Sequence, residues 1–432
     1  TVDKGPILSD SVVATVPLPY LEVTIDGKTV VTDKDGRLPS DFAAPAAGVE
    51  LTSTLSGPYV RIEDREGDTL SVAVTVKPGD NQVIFNPDST TKDENTLAQI
   101  SAFHKINLSL AFLRDRNLAN EAMLKTQLPV RTNIEDECNA YYTPGRPTLN
   151  FFRSSENCVN SAYDTVEEHE LGHYWDDMTG GILNRALSEG IGDTLSMYRL
   201  NNPIIGEHFL KVPRDGVDYI RHGENTYQYN EFDEEHDQGQ AFGGFAWKLR
   251  KALVDKLGYE EGTAVAEALV LPTIYAKAAT IPDMMAQVLV NAMDKNGVIL
   301  HEAEIRGSAK AHGIDLPNSS AGVVTNFLLK IFSRPQASAV TFAEATSETQ
   351  VGGTVRESTP AEISFTVSFP QRKQIIAQLN RYLESSGLNY GLHSRHGVFS
   401  SRYVLTLDGP TQDVRERSEA IAEWFKGLSA AR

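Results

Sequence analysis

The 432-residue sequence predicts a multidomain α+β fold, and three changes of pattern along the chain carry this prediction. Residues 1–90 contain short β-branched segments separated by Asp-Gly turns, which is typical of a β-sandwich-like accessory domain. From about Asn95, apolar residues recur every three or four positions, which predicts that a helical domain begins here, and we assign it to 91–335. After a linker at 336–360, strand and helix patterns alternate in a small α+β module at 361–432.

The N-terminal strands are predicted from composition and turn chemistry. Ser11–Val16 and Tyr20–Ile25 are rich in β-branched residues. Asp26 and Gly27 follow the second of these segments directly and predict a tight hairpin turn.

The central region predicts a long amphipathic helix that begins near Asn95, an extended stretch over 127–152, and helical segments over 164–200. A further helix is predicted over Gln240–Leu257 and ends at Gly258, a residue suited to the C-terminal cap. In the last module we predict a strand at 363–369, a helix at 371–385, one or two strands at 398–407 and a helix at 414–428.

Composition restricts the partners. Lys and Arg number 40 against 58 Asp and Glu, a formal net charge of −18, so nucleic acid and anionic membrane surfaces are poor candidates. No apolar run approaches the roughly 18 residues of a membrane-spanning helix, so no membrane span is predicted. The sequence starts at Thr1 rather than Met, as it would after removal of a signal or pro-segment, and equally in an expressed fragment.

The segment around His169 and His173 carries the chemistry. On a helix, residues four apart leave one face about 6 Å apart along the axis, so both imidazoles can bind one metal ion, and zinc favours this arrangement. Glu170 is rotated by about 100° from His169, near enough to hydrogen-bond a metal-bound water, and is predicted to be the general base. Because such a string also arises by chance in unrelated helices, a second feature is needed.

A second helical stretch supplies that feature. Glu189 completes a set of two histidines and one carboxylate, which leaves the fourth zinc position for water, the catalytic rather than the structural pattern. Asp193 lies one turn further on and is predicted to hold the outer ring nitrogen of a zinc-bound histidine. The alternative for Glu189 is a solvated glutamate at the start of a helix.

Together, the segments His169–His173 (HELGH) and Ser188–Asp193 (SEGIGD) resemble the glutamate-zincin peptidases, the thermolysin and fungalysin group, and the second segment is closer to fungalysin. The resemblance covers about residues 95–310. It implies a thermolysin-like, mostly helical peptidase domain that has an edge strand for substrate and one catalytic zinc ion. No counterpart of the family's calcium ligands is evident, so the resemblance does not extend to calcium.

Two further segments resemble this family. Asn139 and Ala140, followed by two tyrosines, are similar to its edge strand, which implies that the Asn139 side chain and the Ala140 backbone bind the substrate main chain. His236 lies in a His-x-x-Gly element, which implies a donor to the oxyanion of the tetrahedral intermediate. Arg221 resembles the family arginine that binds a substrate carbonyl, and a surface arginine is the alternative reading.

The chain also departs from thermolysin. Asn184 stands about where thermolysin has a tyrosine that helps bind the oxyanion, and the spacing from His173 to Glu189 is shorter. Oxyanion stabilisation therefore depends more on His236, and Tyr227 or Tyr229 is a further candidate.

The two cysteines, Cys138 and Cys158, predict one disulfide that closes a loop containing the presumed substrate edge, and this favours an oxidising compartment. The alternative is two free buried thiols in a cytosolic protein.

These observations lead to the hypothesis of a zinc metallopeptidase, an endopeptidase that acts on peptide or protein substrates outside the cytoplasm, whether secreted, periplasmic or in the cell envelope. The alternative is a catalytically weak or inactive zinc-stabilised binding or adhesion protein on a peptidase scaffold. Glu170 argues against it, since an inactive copy would readily lose this residue. An inhibitory pro-segment within the N-terminal residues stays open, as do cleavage specificity, the biological substrate and the role of the C-terminal module. A monomer is the working expectation for the oligomeric state.

Overall fold

The computed structural model confirms an α+β fold and divides the chain into two units, residues 1–324 and 325–432. The structure describes residues 15–39, 42–85 and 93–317, together with the backbone of three strands at 361–368, 389–396 and 400–408. The predicted linker and the helices predicted at 371–385 and 414–428 lie outside these residues. No described helix is both long and apolar enough to span a bilayer.

In the first unit, runs of strands are followed by runs of helices. Its strands are β1 (Glu22–Ile25), β2 (Lys28–Val31), β3 (Val49–Thr54), β4 (Val60–Asp64), β5 (Ser71–Val76), β6 (Leu128–Ile134), β7 (Ala140–Thr143), β8 (Thr148–Phe152), β9 (Ile204–Ile205) and β10 (Arg221–His222). Its helices are α1 (Glu94–Asp115), α2 (Glu121–Lys125), α3 (Asp164–Met178), α4 (Arg185–Leu200), α5 (Glu235–Leu257), α6 (Tyr259–Val270), α7 (Ile281–Asn291) and α8 (Glu302–Lys310), with a 3-10 helix at Leu271–Ala276.

The N-terminal strands form an antiparallel sheet in the order β2-β1-β3-β5. The predicted hairpin is confirmed, since Asp26 and Gly27 connect β1 to β2 with φ angles of 49° and 70°. Strand β4 does not join this sheet but pairs in parallel with β6, beyond the predicted boundary at residue 90. Strand periodicity identifies β segments but does not specify their partners, so this crossing was not predictable from the pattern.

The second sheet has the order β4-β6-β8-β7, which leaves β7 at an edge. β7 runs antiparallel to β8, with Ala140 opposite Phe151 and Thr143 opposite Thr148. Every residue of β8 is buried, so β8 anchors the sheet in the core and β7 presents its other side outward.

Helix α1 packs against this sheet. Asp93 caps its first turn by accepting from the backbone N–H of Thr96, and the apolar face predicted from the sequence is buried. That face consists of Leu97, Ile100, Phe103, Ile106, Leu110 and Leu113.

Helix α5 begins at Glu235, five residues before the predicted start at Gln240. The Glu234 side chain caps it by accepting from the backbone N–H of His236 at 2.8 Å. The polar first turns lack the apolar period, which is why the pattern missed them. The predicted end is confirmed, because Gly258 follows with a φ of 87°.

The second unit contains an antiparallel sheet in the order β11-β13-β12, formed by β11 (Ala361–Ser368), β12 (Asn389–His396) and β13 (Ser400–Asp408). The strand predicted at 363–369 is present with shifted bounds, and the region predicted as one or two strands contains β13, with β12 before it.

Candidate metal centre

An open cleft of about 930 Å³ lies between the edge strand β7 and the helices α3, α4 and α5. Apart from the additional oxyanion candidates Tyr227 and Tyr229, all but one of the residues predicted for the site line it, and the exception, Asp193, lies behind His169. The lining residues from that set are Asn139, Ala140, His169, Glu170, His173, Glu189, Arg221 and His236.

Close helix packing brings the metal-ligand candidates together. A methyl group on Gly172 of α3 would lie 2.5 Å from the Cα of Gly192 in α4, so only two glycines permit this approach. A methyl group on Gly239 of α5 would lie 2.8 Å from the Cβ of Glu189. The backbones of the three helices therefore approach each other beside the cleft, around Glu189.

His169, His173 and Glu189 form a candidate metal-binding triad, with one ligand atom from each residue within 4.8 Å of the others. The Nε2 atoms of His169 and His173 each lie 3.3 Å from a different oxygen of Glu189. Two donors that each lie about 2.0–2.1 Å from a tetrahedral zinc ion are about 3.3–3.4 Å apart, so the spacing fits that ion. The Oε2 atom of Glu189 is buried without a hydrogen-bond partner among the described residues, as a ligand oxygen would be.

The outer nitrogen of each imidazole is bonded away from the triad. His169 Nδ1 lies 2.8 Å from Asp193 Oδ1, and His173 Nδ1 lies 2.9 Å from the Ser188 hydroxyl. Such partners fix the ring orientation and turn Nε2 toward the shared point. The predicted place of Asp193 next to a histidine of the triad agrees with this geometry, whereas Ser188 was not singled out from the sequence.

Charge coupling stabilises the ionised carboxylates. Burial raises the pKa of Asp193, but Arg221 and His169 outweigh it and lower the pKa to about 2. Burial also opposes ionisation of Glu189, yet the two imidazoles hold the pKa of that carboxyl well below its usual range. Both groups are therefore anionic at neutral pH, as a metal ligand and its supporting carboxylate must be.

The Arg221 side chain lies behind the triad and is 12% exposed rather than extended into solvent. Its guanidinium makes bonds of 2.8 and 2.7 Å to the two oxygens of Asp193, and Nη2 lies 3.6 Å from Glu189. The side chain also lines the cleft. The alternative reading as a surface arginine is therefore wrong, and its predicted contact with a substrate carbonyl stays a prediction.

Glu170 lines the same cleft and is buried. Burial raises the pKa of its carboxyl, against the opposing effect of His169 and His173. A carboxylate with a raised pKa is a better proton acceptor near neutral pH than an exposed one.

His236 reaches the cleft from the first turn of α5. Its Nδ1 lies 2.7 Å from Glu234, and its Nε2 lies 3.6 Å from Glu189. This arrangement aims Nε2 at the triad. Neither Tyr227 nor Tyr229 lines the cleft, and the Tyr227 hydroxyl donates to Asp233, so the structure does not support either as an additional oxyanion donor.

The edge strand borders the cleft along its length, since Asn139, Ala140, Tyr141 and Tyr142 all line it. The predicted disulfide is present between Cys138 and Cys158, with a Cα separation of 5.3 Å. It fixes the chain immediately before Asn139.

Glu234 was expected from the sequence to support His236, together with Glu235 and Asp237, and the contact of Glu234 with Nδ1 agrees with this. Sequence reasoning missed two supports of the site: Ser188 and the facing glycines Gly172 and Gly192. Ser188 directly precedes Glu189, so its position offered a signal. The glycines lie within the quoted motifs, but the requirement for them depends on the distance between two helices, which no single segment encodes.

Neither a scan against protein-family models nor a search of curated proteins finds a match to this chain.

Proposed function

We propose that this chain is a zinc-dependent endopeptidase with a thermolysin-like catalytic region, and that it cleaves peptide or protein substrates outside the cytoplasm. The observation that carries the proposal is the combination of the triad of His169, His173 and Glu189 with Glu170 in a single cleft. Two imidazoles and one carboxylate leave a position for water, which is the pattern of catalytic zinc sites. When bound, zinc supplies a water of near-neutral pKa and polarises a carbonyl oxygen.

The protein's own residues would then divide the work. Glu170 takes the proton from the attacking water and delivers it to the leaving amine. His236, held through Nδ1 by Glu234, donates from Nε2 to the oxyanion that develops on the scissile carbonyl. Asp193, held by Arg221, keeps His169 oriented.

Strand addition positions the substrate. The outer edge of β7 has no partner strand among the described residues, so its main chain can pair with an extended peptide. Asn139 and Ala140 lie at the start of this edge and line the cleft. The disulfide at Cys138 supports the proposed oxidising location, because such bonds persist outside the cytoplasm.

The proposal is tested by digestion of casein with and without a chelator, followed by re-addition of zinc. We expect cleavage that the chelator abolishes and zinc restores. Glu170→Gln should retain the metal and lose about 10²- to 10⁴-fold in kcat, since it removes the proton acceptor alone.

Glu167→Gln is a matched control on the same helix. Glu167 is fully buried, contacts Ser101, and has a pKa that burial raises well above its usual value, so glutamine mimics its neutral form. This variant should keep parental activity. Parental rates from Glu170→Gln would overturn the mechanism. Absence of chelator-sensitive cleavage by the parent would instead favour a zinc-stabilised binding protein.

A further inference from the structure

The cleft has two chemically different ends. Helix α3 runs along it, and Val166 lies about one turn before His169, while Asp177 lies about one turn after His173. The end near Val166 is mostly apolar, with Ile205, Phe209 and Leu210 among its lining residues, although Arg214 of the same loop also lines the cleft. The opposite end is lined by the carboxylates Asp176, Asp177 and Glu235.

Two of these three carboxylates already form a salt bridge with a basic side chain. Asp176 is buried and lies 3.1 Å from Lys277 Nζ, and Glu235 lies 2.8 Å from Arg185. Asp177 makes no salt bridge within the described ranges, although it interacts electrostatically with Lys277, the cation that contacts Asp176. Its Oδ2 atom accepts a hydrogen bond of 2.5 Å from the hydroxyl of Tyr142.

That bond ties Asp177 to the substrate edge, because Tyr142 belongs to β7 and also lines the cleft. The start of β7 lies toward the apolar end: Cys138, which precedes the strand, is bonded to Cys158, and Cys158 forms a β-bridge with Leu210. Strand β7 therefore runs from the apolar end of the cleft to Asp177.

The direction of β7 sets the direction of a bound peptide. An antiparallel peptide, the commoner pairing, would run from Asp177 towards the apolar end. The residues before the scissile bond then lie near Asp177. The rise from His173 to Asp177 is about 6 Å, which an extended chain covers in about two residues.

We propose that Asp177 is a specificity-determining residue that selects lysine or arginine within the two positions before the scissile bond. This inference rests on the proposed peptidase function. A cationic side chain would supply the missing ion pair of a half-buried carboxylate, and the chain's net charge of −18 favours the approach of cationic peptides.

Cleavage of a proteome-derived peptide mixture, followed by terminal sequencing of the products, tests the inference. We expect the parent to enrich Lys and Arg at one of these two positions. Asp177→Asn should lose that enrichment and lower kcat/KM for a basic peptide about tenfold, equivalent to about 1.4 kcal/mol. A neutral peptide of otherwise equal sequence should lose much less in kcat/KM than the basic peptide, and zinc content should not change. Asp177→Glu should restore part of the preference.

Asp255→Asn is the matched control. It removes one exposed carboxylate near the far end of α5, about 28 Å along the helix from His236, well beyond the screening length at physiological salt. It should leave the cleavage profile unchanged. Three outcomes would overturn this inference alone. They are cleavage by the parent without a basic preference, a basic preference that survives in Asp177→Asn, and a basic preference at positions after the scissile bond. Failure of the parent to cleave any peptide would overturn the proposed function as well.

Discussion

The two imidazoles of the candidate triad are supported by unlike partners. His169 contacts the carboxylate of Asp193, itself fixed by Arg221, whereas His173 contacts the neutral hydroxyl of Ser188. Ser188 precedes Glu189 in the chain, so one short segment supplies both a candidate ligand and the support of another. The outer nitrogen of His173 is therefore held by a neutral hydroxyl rather than by an ionised carboxylate.

We predict that Ser188→Ala weakens zinc binding because the His173 ring gains rotational freedom. The loss should be about tenfold, which is the lower end of the range for removal of a hydrogen-bond partner of a metal ligand. Ser188→Thr keeps the hydroxyl and should restore affinity. Zinc dissociation constants from competition with a chromogenic chelator measure the effect. Ser196→Ala is the control on the same helix, since that buried hydroxyl bonds to the carbonyl of Thr165 instead. An equal loss of zinc affinity in both alanine variants would contradict the prediction.

At the residue scale, the sequence predicted the candidate ligands because spacing along one helix determines which side chains share a face. His169 and His173 are such a pair. The partners of their outer nitrogens were harder to predict. Asp193 could be predicted because it lies one helical turn after Glu189. The contact between Ser188 and His173 depends on how α4 packs against α3.

At the element scale, the approach of α3 to α4 determines whether the triad forms at all. Gly172 and Gly192 face each other across this contact, and a methyl group on Gly192 would lie 2.8 Å from the His169 ring. No side chain separates the two backbones here. The glycines of the HELGH and SEGIGD segments are therefore required for the close packing of α3 against α4, in addition to being part of the sequence motifs.

We predict that Gly172→Ala destabilises the fold by about 2–3 kcal/mol, because the added methyl group forces α3 and α4 apart. The displacement should also abolish stoichiometric zinc binding. Thermal unfolding and metal analysis measure the two effects. Gly307→Ala in the exposed part of α8 is the control: nothing lies within 4 Å of its added methyl group, so helix propensity should stabilise it by about 0.5–1 kcal/mol. Full zinc occupancy in Gly172→Ala would contradict the prediction.

Element types were more predictable than element partners. The apolar period located α1, and Gly258 located the end of α5, because both signals are local. The pairing of β4 with β6 joins segments that are more than sixty residues apart, and the β pattern of β4 is the same whichever sheet it joins.

At the scale of the whole molecule, the cleft is assembled from separate parts of the first unit. Its lining extends from Cys138 to His236 and includes β7, three helices and the loop between Ile205 and Arg221. The disulfide fastens the edge that would hold a peptide to the segment at Cys158, which precedes the metal-bearing helices. It is the covalent constraint on the substrate side of the cleft.

Removal of the disulfide should lower the stability of the fold without preventing metal binding. The double variant Cys138→Ala, Cys158→Ala opens a loop with a sequence separation of 20, and loss of the cross-link should destabilise the fold by about 3 kcal/mol through unfolded-state entropy. Because α3 and α4 are untouched, zinc should still bind. Chemical denaturation and metal analysis measure these outcomes.

The same variant should raise KM more than it lowers kcat, because β7 loses its fixed start while the candidate catalytic groups keep their places. The Glu121→Gln variant, an exposed change on α2, controls for unspecific effects of substitution. An unchanged unfolding midpoint would show that the sheet alone holds β7. A loss of zinc would instead mean that the edge strand and the metal helices are one cooperative unit, because loosening of β7 would then reach His169 through the contacts of β7 and β8 with α3.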